Sequence, residues 1–335
     1  MAKVVGFGEV MMRLNPEGFR RFVQADRFEA SYAGSEANAL MTCALCGLDA
    51  MMITKLPENE IGQAALNEMR RYGLNTSGIL RGGPRLGIYF AETGASQRDS
   101  KVIYDRAGSS IALARRGEFD WKAIFDGAAW FHFSGITPAL GGDLPAITMD
   151  AVKTAKEMGL TVSCDINYRK KLWTPEEAGS TLGELMPYVD VCSFNESEAS
   201  QVFGVRAEEG CAPERHYESI ARRLQERFGF RRVAITLSKN ITATDNDIGG
   251  VLYENGQTYY SPMARVHIVD RVGAGDCFGG ALIVAELAGF DPQRTVNFAA
   301  ATAVLKCSIE HDYALLSMAE IEALANGAGS NGPQR

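Results

Sequence analysis

The stretch Asp270–Leu287, DRVGAGDCFGGALIVAEL, sets Gly273, Ala274, Gly275 and Asp276 directly before an apolar helical pattern. The first amides of a helix lack internal partners, and the helix dipole adds positive potential there. Glycines on either side of Ala274 let an anion reach the backbone with no Cβ in the way. The stretch therefore reads as an anion hole of phosphate size. Asp276 has two local readings, a helix cap or a base beside that hole. Neither familiar nucleotide fingerprint is present. G-x-G-x-x-G would need glycine where Phe278 stands, and no G-x-x-x-x-G-K-[ST] loop occurs.

Outward from this stretch, short apolar runs alternate with amphipathic helical ones. KVVGFGE, AMMITKL, GAAWFHFSG, LTVSCDI, VDVCSF and RRVAITL read as strands. SEANALMTCALCGL, ENEIGQAALNEMRRYG, LPAITMDAVKTAKEMG, TPEEAGSTLGELMPY and HYESIARRLQERFG read as helices. Thr174 caps one of these, with Pro175 at its first position. Repeated strand-helix-strand order with apolar strands predicts an α/β fold, a mainly parallel sheet covered on both faces. Residues 14–33 and 79–106 break the rhythm with hairpin-like alternation, which predicts a small β-sheet lid. The expectation is one domain over residues 1–325, with 326–335 a fraying tail. Ligands of such sheets bind outside the carboxyl ends of the strands. That gathers residues 9–15, 135–142, 166–172, 195–198, 238–240 and 270–276 on one rim.

Composition narrows the classes. The 335 residues are 46% hydrophobic and 22% charged, with a formal net charge of -7. The absence of a basic run argues against a nucleic-acid partner. No run of about 18 apolar residues suggests a membrane span, and no secretory leader is apparent. Seven scattered cysteines, an odd count in apolar segments, read as free thiols in a cytoplasmic protein. Cys43 and Cys46 have core spacing on a helix. The four histidines are isolated, so metal-ligand and hydrolase patterns are missing.

The rim carries further candidates, each with a structural alternative. Asn195 and Glu198 have the spacing of a capping box, or of a carboxylate ordering water around Mg²⁺. Arg169, in DINYRKKLW, is a solvated loop charge or a clamp for a carboxylate. Tyr104 and Arg106 share one strand face, and Tyr89 belongs to the neighbouring strand. They are either packing or the inner wall of a lid. Gly34 and Asn38, in AGSEAN, are a helix start or a backbone and amide offered to substrate hydroxyls.

Taken together and in this order, GFGEV, AGSEAN, NESEA, DRVGAGDCF and NFAAATAVLK resemble the ribokinase-like (PfkB-type) carbohydrate kinases, over almost the whole chain. GIYFAETG, VIYDRAGSS, DINYRKKLW and VLKCSIEHD look most like the 2-keto-3-deoxygluconate kinases of that family. The resemblance implies a three-layer sandwich with a β lid, ATP and Mg²⁺ as requirements, and a sugar acid as substrate. It implies Asp276 as the base and the amides of Gly273, Ala274 and Gly275 as the anion hole. Asn195 and Glu198 would lie near the ATP phosphates and Mg²⁺, with Ser238 beside the nucleotide. Gly34, Asn38, Tyr89, Tyr104, Arg106 and Arg169 would hold the sugar acid. A homo-oligomer through the lid is a further implication.

This chain departs from the family at three places. Ala33-Gly34 replaces paired glycines, Arg271-Val272 replaces paired threonines, and His311 stands where glycine is frequent. The His311 loop adjoins a monovalent-cation site in some relatives, which leaves potassium as a candidate ion. Alternatives are a neutral-sugar kinase such as a fructokinase, or a silent sugar or nucleotide sensor. Two cations facing the sugar, Arg106 and Arg169, suit an acid and would be idle for fructose.

Overall fold

Eight neighbouring strands form the spine of the main sheet in the computed structural model, which describes residues 1–327. Their order is Gln257–Tyr260, Asp245–Glu254, Arg232–Asn240, Val191–Phe194, Thr161–Asp165, Ala128–Ser134, Lys3–Phe7 and Asp49–Ile53. The six from Arg232–Asn240 to Asp49–Ile53 are parallel. A ninth strand, Ala264–His267, pairs antiparallel with Asp245–Glu254. Central strands are buried on both faces, which is why Val4, Val5, Phe7, Phe131 and Phe133 form an unbroken apolar register rather than an alternating one.

Two cores result, one on each face. The first is built on the helices Ser35–Leu45, Ala274–Leu287 and Pro292–Lys306, and includes Leu40, Phe278 and Phe298. The second is built on Leu144–Glu157, Pro175–Leu185 and His216–Phe228, and includes Ile147, Leu182 and Ile220. Thr174 does cap its helix, in a capping box with Glu177. On the first face two helices meet backbone to backbone, because a Cβ on Gly280 would lie 2.3 Å from the Ala39 carbonyl oxygen. That close approach sets the register of the two helix starts that meet at the site.

A separate four-stranded sheet has the order Glu29–Ala33, Met11–Asn15, Gly87–Glu92, Lys101–Asp105. Its two hairpins are joined by a parallel pairing of Met11–Leu14 with Gly87–Phe90. Val102, Tyr104 and Arg106 face inward while Ile103 and Asp105 are exposed, the period-two alternation of a one-sided sheet.

Several expected boundaries move. The lid begins at Met11, so most of the expected rim loop 9–15 is strand. Leu80–Arg81 pairs with Lys55–Leu56 in its own two-stranded sheet and does not join the lid. Ser238–Asn240 is no loop, since the strand continues to Asn240 against Asn246–Glu254. Residues 241–269, which the sequence left unassigned, supply the antiparallel edge. All seven cysteines are free, five of them buried. No helix of the described residues is long and apolar enough to cross a membrane. The expected fraying tail lies, from residue 328 onward, outside the described residues.

Candidate active site

The helix Ala274–Leu287 opens on Gly273, whose φ of 87° is left-handed and whose missing Cβ makes room for the Asp312 carbonyl oxygen. Gly275 differs. Nothing lies within 4 Å of where its Cβ would be, so packing does not demand a glycine there. The N–H groups of Gly273 and Gly275 have no hydrogen-bond partner among the described residues, whereas Ala274 N–H donates to the Arg271 carbonyl at 3.3 Å. Asp270 secures the turn by accepting from Val272 N–H at 3.0 Å.

Asp276 is half-buried one residue further on, held by three side chains. Its Oδ1 accepts from Ser35 Oγ at 2.7 Å and from Asn167 Nδ2 at 3.2 Å. Its Oδ2 accepts from Asn38 Nδ2 at 2.7 Å. Burial lifts the carboxyl above the ordinary aspartate value, while Ser35, Asn38 and the charge of Arg169 pull it back. Asp276 caps nothing here, because the cap position belongs to Gly273 and no side-chain cap bond forms.

A cavity of about 340 Å³ opens over Asp276. Tyr89, Tyr104, Arg169, Asn195, Glu198, Gly273, Gly275 and Asp276 all line it, so eight of the residues singled out in the sequence converge there. Tyr89 and Tyr104 are cross-strand partners with ring centroids 5.9 Å apart. The Tyr89 hydroxyl is committed to Asp312 Oδ2 at 2.6 Å. Arg106 opens instead into an adjoining cavity of about 1070 Å³, which shares Tyr104 and Arg169 as walls. Its guanidinium stacks over Tyr104 at 4.3 Å and lies 3.4 Å from Glu9, with Nε and Nη1 free of hydrogen bonds. Arg106 is buried, and its Nη1 faces the Glu9 carboxylate as an ion pair.

Besides Arg106, four expected residues stand off the cavity wall: Ala274, whose N–H is turned to the Arg271 carbonyl, Asn38, Gly34 and Ser238. Asn38 reaches Asp276 from behind it. Gly34 is buried where a Cβ would meet the Glu9 carbonyl oxygen at 1.9 Å, so chain packing alone accounts for that glycine. Ser238 is exposed on its strand and lines a third cleft, of about 920 Å³, beside Asn195 and Arg271.

Asn195 and Glu198 form the capping box in full. Asn195 Oδ1 accepts from Glu198 N–H at 3.1 Å, and Glu198 Oε2 accepts from Asn195 N–H at 2.9 Å. The other oxygen, Glu198 Oε1, accepts from Tyr168 N–H at 3.0 Å and ties this helix start to the Arg169 loop. Asp165, at the end of its strand, faces the same cavity. Burial raises both carboxyls, Asp165 the more strongly, with Glu198 and Asp276 adding repulsion.

Sequence reasoning passed over Asp165, Ser35 and Asn167, although each sits inside a quoted motif. Asn167 takes a left-handed φ of 42°, which asparagine tolerates better than most residues, and so turns its amide onto Asp276. It also passed over Arg13, buried beneath the lid. Arg13 donates to Asp312 at 2.6 Å and to Asp270 at 2.5 Å, linking lid, late loop and glycine turn. His311 has φ of 63°, the left-handed backbone that explains why glycine suits that position.

The chain resembles the crystal structure of a 2-dehydro-3-deoxygluconokinase from Thermotoga maritima, with a TM-score of 0.95 and 51% identity over 97% of this chain and 98% of that one. It is 33% identical to a 2-dehydro-3-deoxygalactonokinase from Haloferax volcanii, over 97% of each chain. It is 28% identical to a 2-dehydro-3-deoxygluconokinase from Thermoproteus tenax, over 97% of this chain and 94% of the relative. The family model for pfkB carbohydrate kinases matches residues 1–316, and the chain belongs to that family.

Proposed function

We propose that this kinase transfers the γ-phosphoryl group of ATP to the 6-hydroxyl of a keto-deoxy sugar acid, with 2-keto-3-deoxygluconate the leading substrate. The carrying observation is Asp276, a carboxylate fixed by Ser35, Asn38 and Asn167 beside two unpaired helix-start amides, in a cavity that also holds Arg169. The names of the most similar relatives support a keto-deoxy acid and divide over the gluco and galacto epimers.

In this reading Asp276 accepts the proton of the sugar hydroxyl as the O–P bond forms and ADP leaves with the old bridging oxygen. Phosphoryl transfer asks a protein chiefly for positioning and charge stabilisation. The Gly273 and Gly275 amides meet the charge of the moving group, with Ala274 able to join if its weak turn bond yields. Arg169 and Arg106 hold the carboxylate of the sugar acid. The small sheet excludes water that would otherwise hydrolyse ATP.

Mg²⁺ fits the residues present. No three His, Cys, Asp or Glu side chains group into a metal cage among the described residues. Mg²⁺ with ATP needs only one or two carboxylates plus phosphates and water. Glu198 and Asp165, which line the same cavity, would supply those. When bound, the ion neutralises phosphate charge. The buried Lys306 ammonium donates to the Asp270 and Ile309 carbonyls at 3.1 Å each and so already places a positive charge beside the His311 loop, where a potassium ion is the further candidate. Exposed Phe19, Val23, Phe28 and Ile103 on the small sheet and its loops support a homo-oligomer formed through the lid.

Asp276→Asn tests the base. Sugar and nucleotide binding should persist while turnover falls ~10²–10⁴-fold. A variant that keeps the parental rate removes Asp276 from the chemistry.

A further inference from the structure

The cleft that includes Ser238 and the cavity over Asp276 meet along a short border. Only Asn195, Thr236 and Arg271 line both. With the nucleotide in the Ser238 cleft, as the family resemblance implies, and the sugar over Asp276, the transferred phosphoryl group crosses that border. Asn195 is occupied there as a helix cap, and Thr236 Oγ1 leans on the Phe194 carbonyl at 3.5 Å. Arg271 is therefore, among the described residues, the sole charged side chain at the crossing.

Its surroundings suit an anion. Arg271 is exposed and forms no ion pair among the described residues, whereas Arg13, Arg85, Arg116, Arg222 and Arg232 each have a carboxylate partner. Nη2 donates to Asn240 Oδ1 at 3.0 Å and, with the Asn246 amide oriented to satisfy its neighbours, to Asn246 Oδ1 at 3.0 Å, which steadies the guanidinium while leaving Nε and Nη1 open. Its backbone carbonyl accepts from Ala274 N–H, so the side chain rises from the same turn that presents the glycine amides.

We propose that Arg271 is a catalytic residue that contacts the terminal phosphoryl group of the nucleotide and follows it during transfer. A planar, permanently charged fork is suited to phosphate oxygens, and its benefit grows as charge spreads in the transition state. This inference rests on the ATP reading above.

The test measures binding of AMP, ADP and a non-hydrolysable ATP analogue with Mg²⁺ by calorimetry, together with kcat, for the parent, Arg271→Ala and Arg271→Lys. Arg271→Ala should bind the ATP analogue at least ~10-fold more weakly, as expected for a lost charge-assisted bond, and leave AMP unchanged. Its kcat should fall ~10²–10³-fold, with Arg271→Lys between the two. Equal weakening of all three nucleotides, with a fallen Tm, would mean a structural role and overturn the proposal. So would a variant with parental analogue affinity and kcat. A parent that binds no nucleotide would instead bring down the ATP reading, and this inference with it.

Discussion

Asn38 donates its side-chain amide to Asp276 at 2.7 Å, joining the first turns of two helices whose positions are 238 residues apart in the chain. The contact depends on the backbone approach of the same helices at Ala39 and Gly280. A base built this way is oriented by the core of the protein rather than by its loop.

Asn38→Ala should move the acid limb of the kcat/KM profile to higher pH. A donor to the carboxylate favours the ionised form, so its loss raises a value that burial has already raised. The base works ionised, and more of it is then protonated at a given acidic pH. An unmoved limb, with kcat/KM otherwise intact, would mean that the group titrating in the profile is not Asp276.

Gly275→Ala separates packing from phosphate approach. A Cβ there meets nothing within 4 Å, so Tm should stay at the parental value. Turnover should fall by ~10²-fold, the scale of a lost oxyanion donor, because the methyl group stands where phosphate must come. Retained turnover would move the anion hole elsewhere.

Arg106→Gln and Arg169→Gln should each raise KM for the keto-deoxy acid by ~10–10²-fold, the range for a charge-assisted hydrogen bond. KM for ATP should be unchanged in Arg106→Gln, which lies off the cavity over Asp276. Equal losses for the acid and for a neutral sugar would mean that neither arginine reads a carboxylate.

The parallel half of the sheet was legible because short, mainly apolar strands alternate with amphipathic helical stretches. The edge formed by residues 241–269 was not. Its long strand starts with DNDIGG, where polar residues and paired glycines hide the period. The glycine turn and Asp276 were legible because helix-start chemistry is local. Ser35, Asn167 and Asp165 were not singled out, since what matters about them is where distant segments cross. Asn167 needs a left-handed backbone, and Ser35 needs the helix contact at Gly280. Arg106 illustrates the converse limit. Period two correctly placed it on the face of Tyr104, but not in the neighbouring cavity rather than the one over Asp276.

The most direct measurement is ADP release with Mg·ATP, comparing 2-keto-3-deoxygluconate, its galacto epimer, fructose and ribose. Selective turnover of one or both keto-deoxy acids is the predicted result. Turnover of fructose or ribose alone would contradict the sugar-acid assignment, and ADP release with none of the four would contradict the proposed reaction.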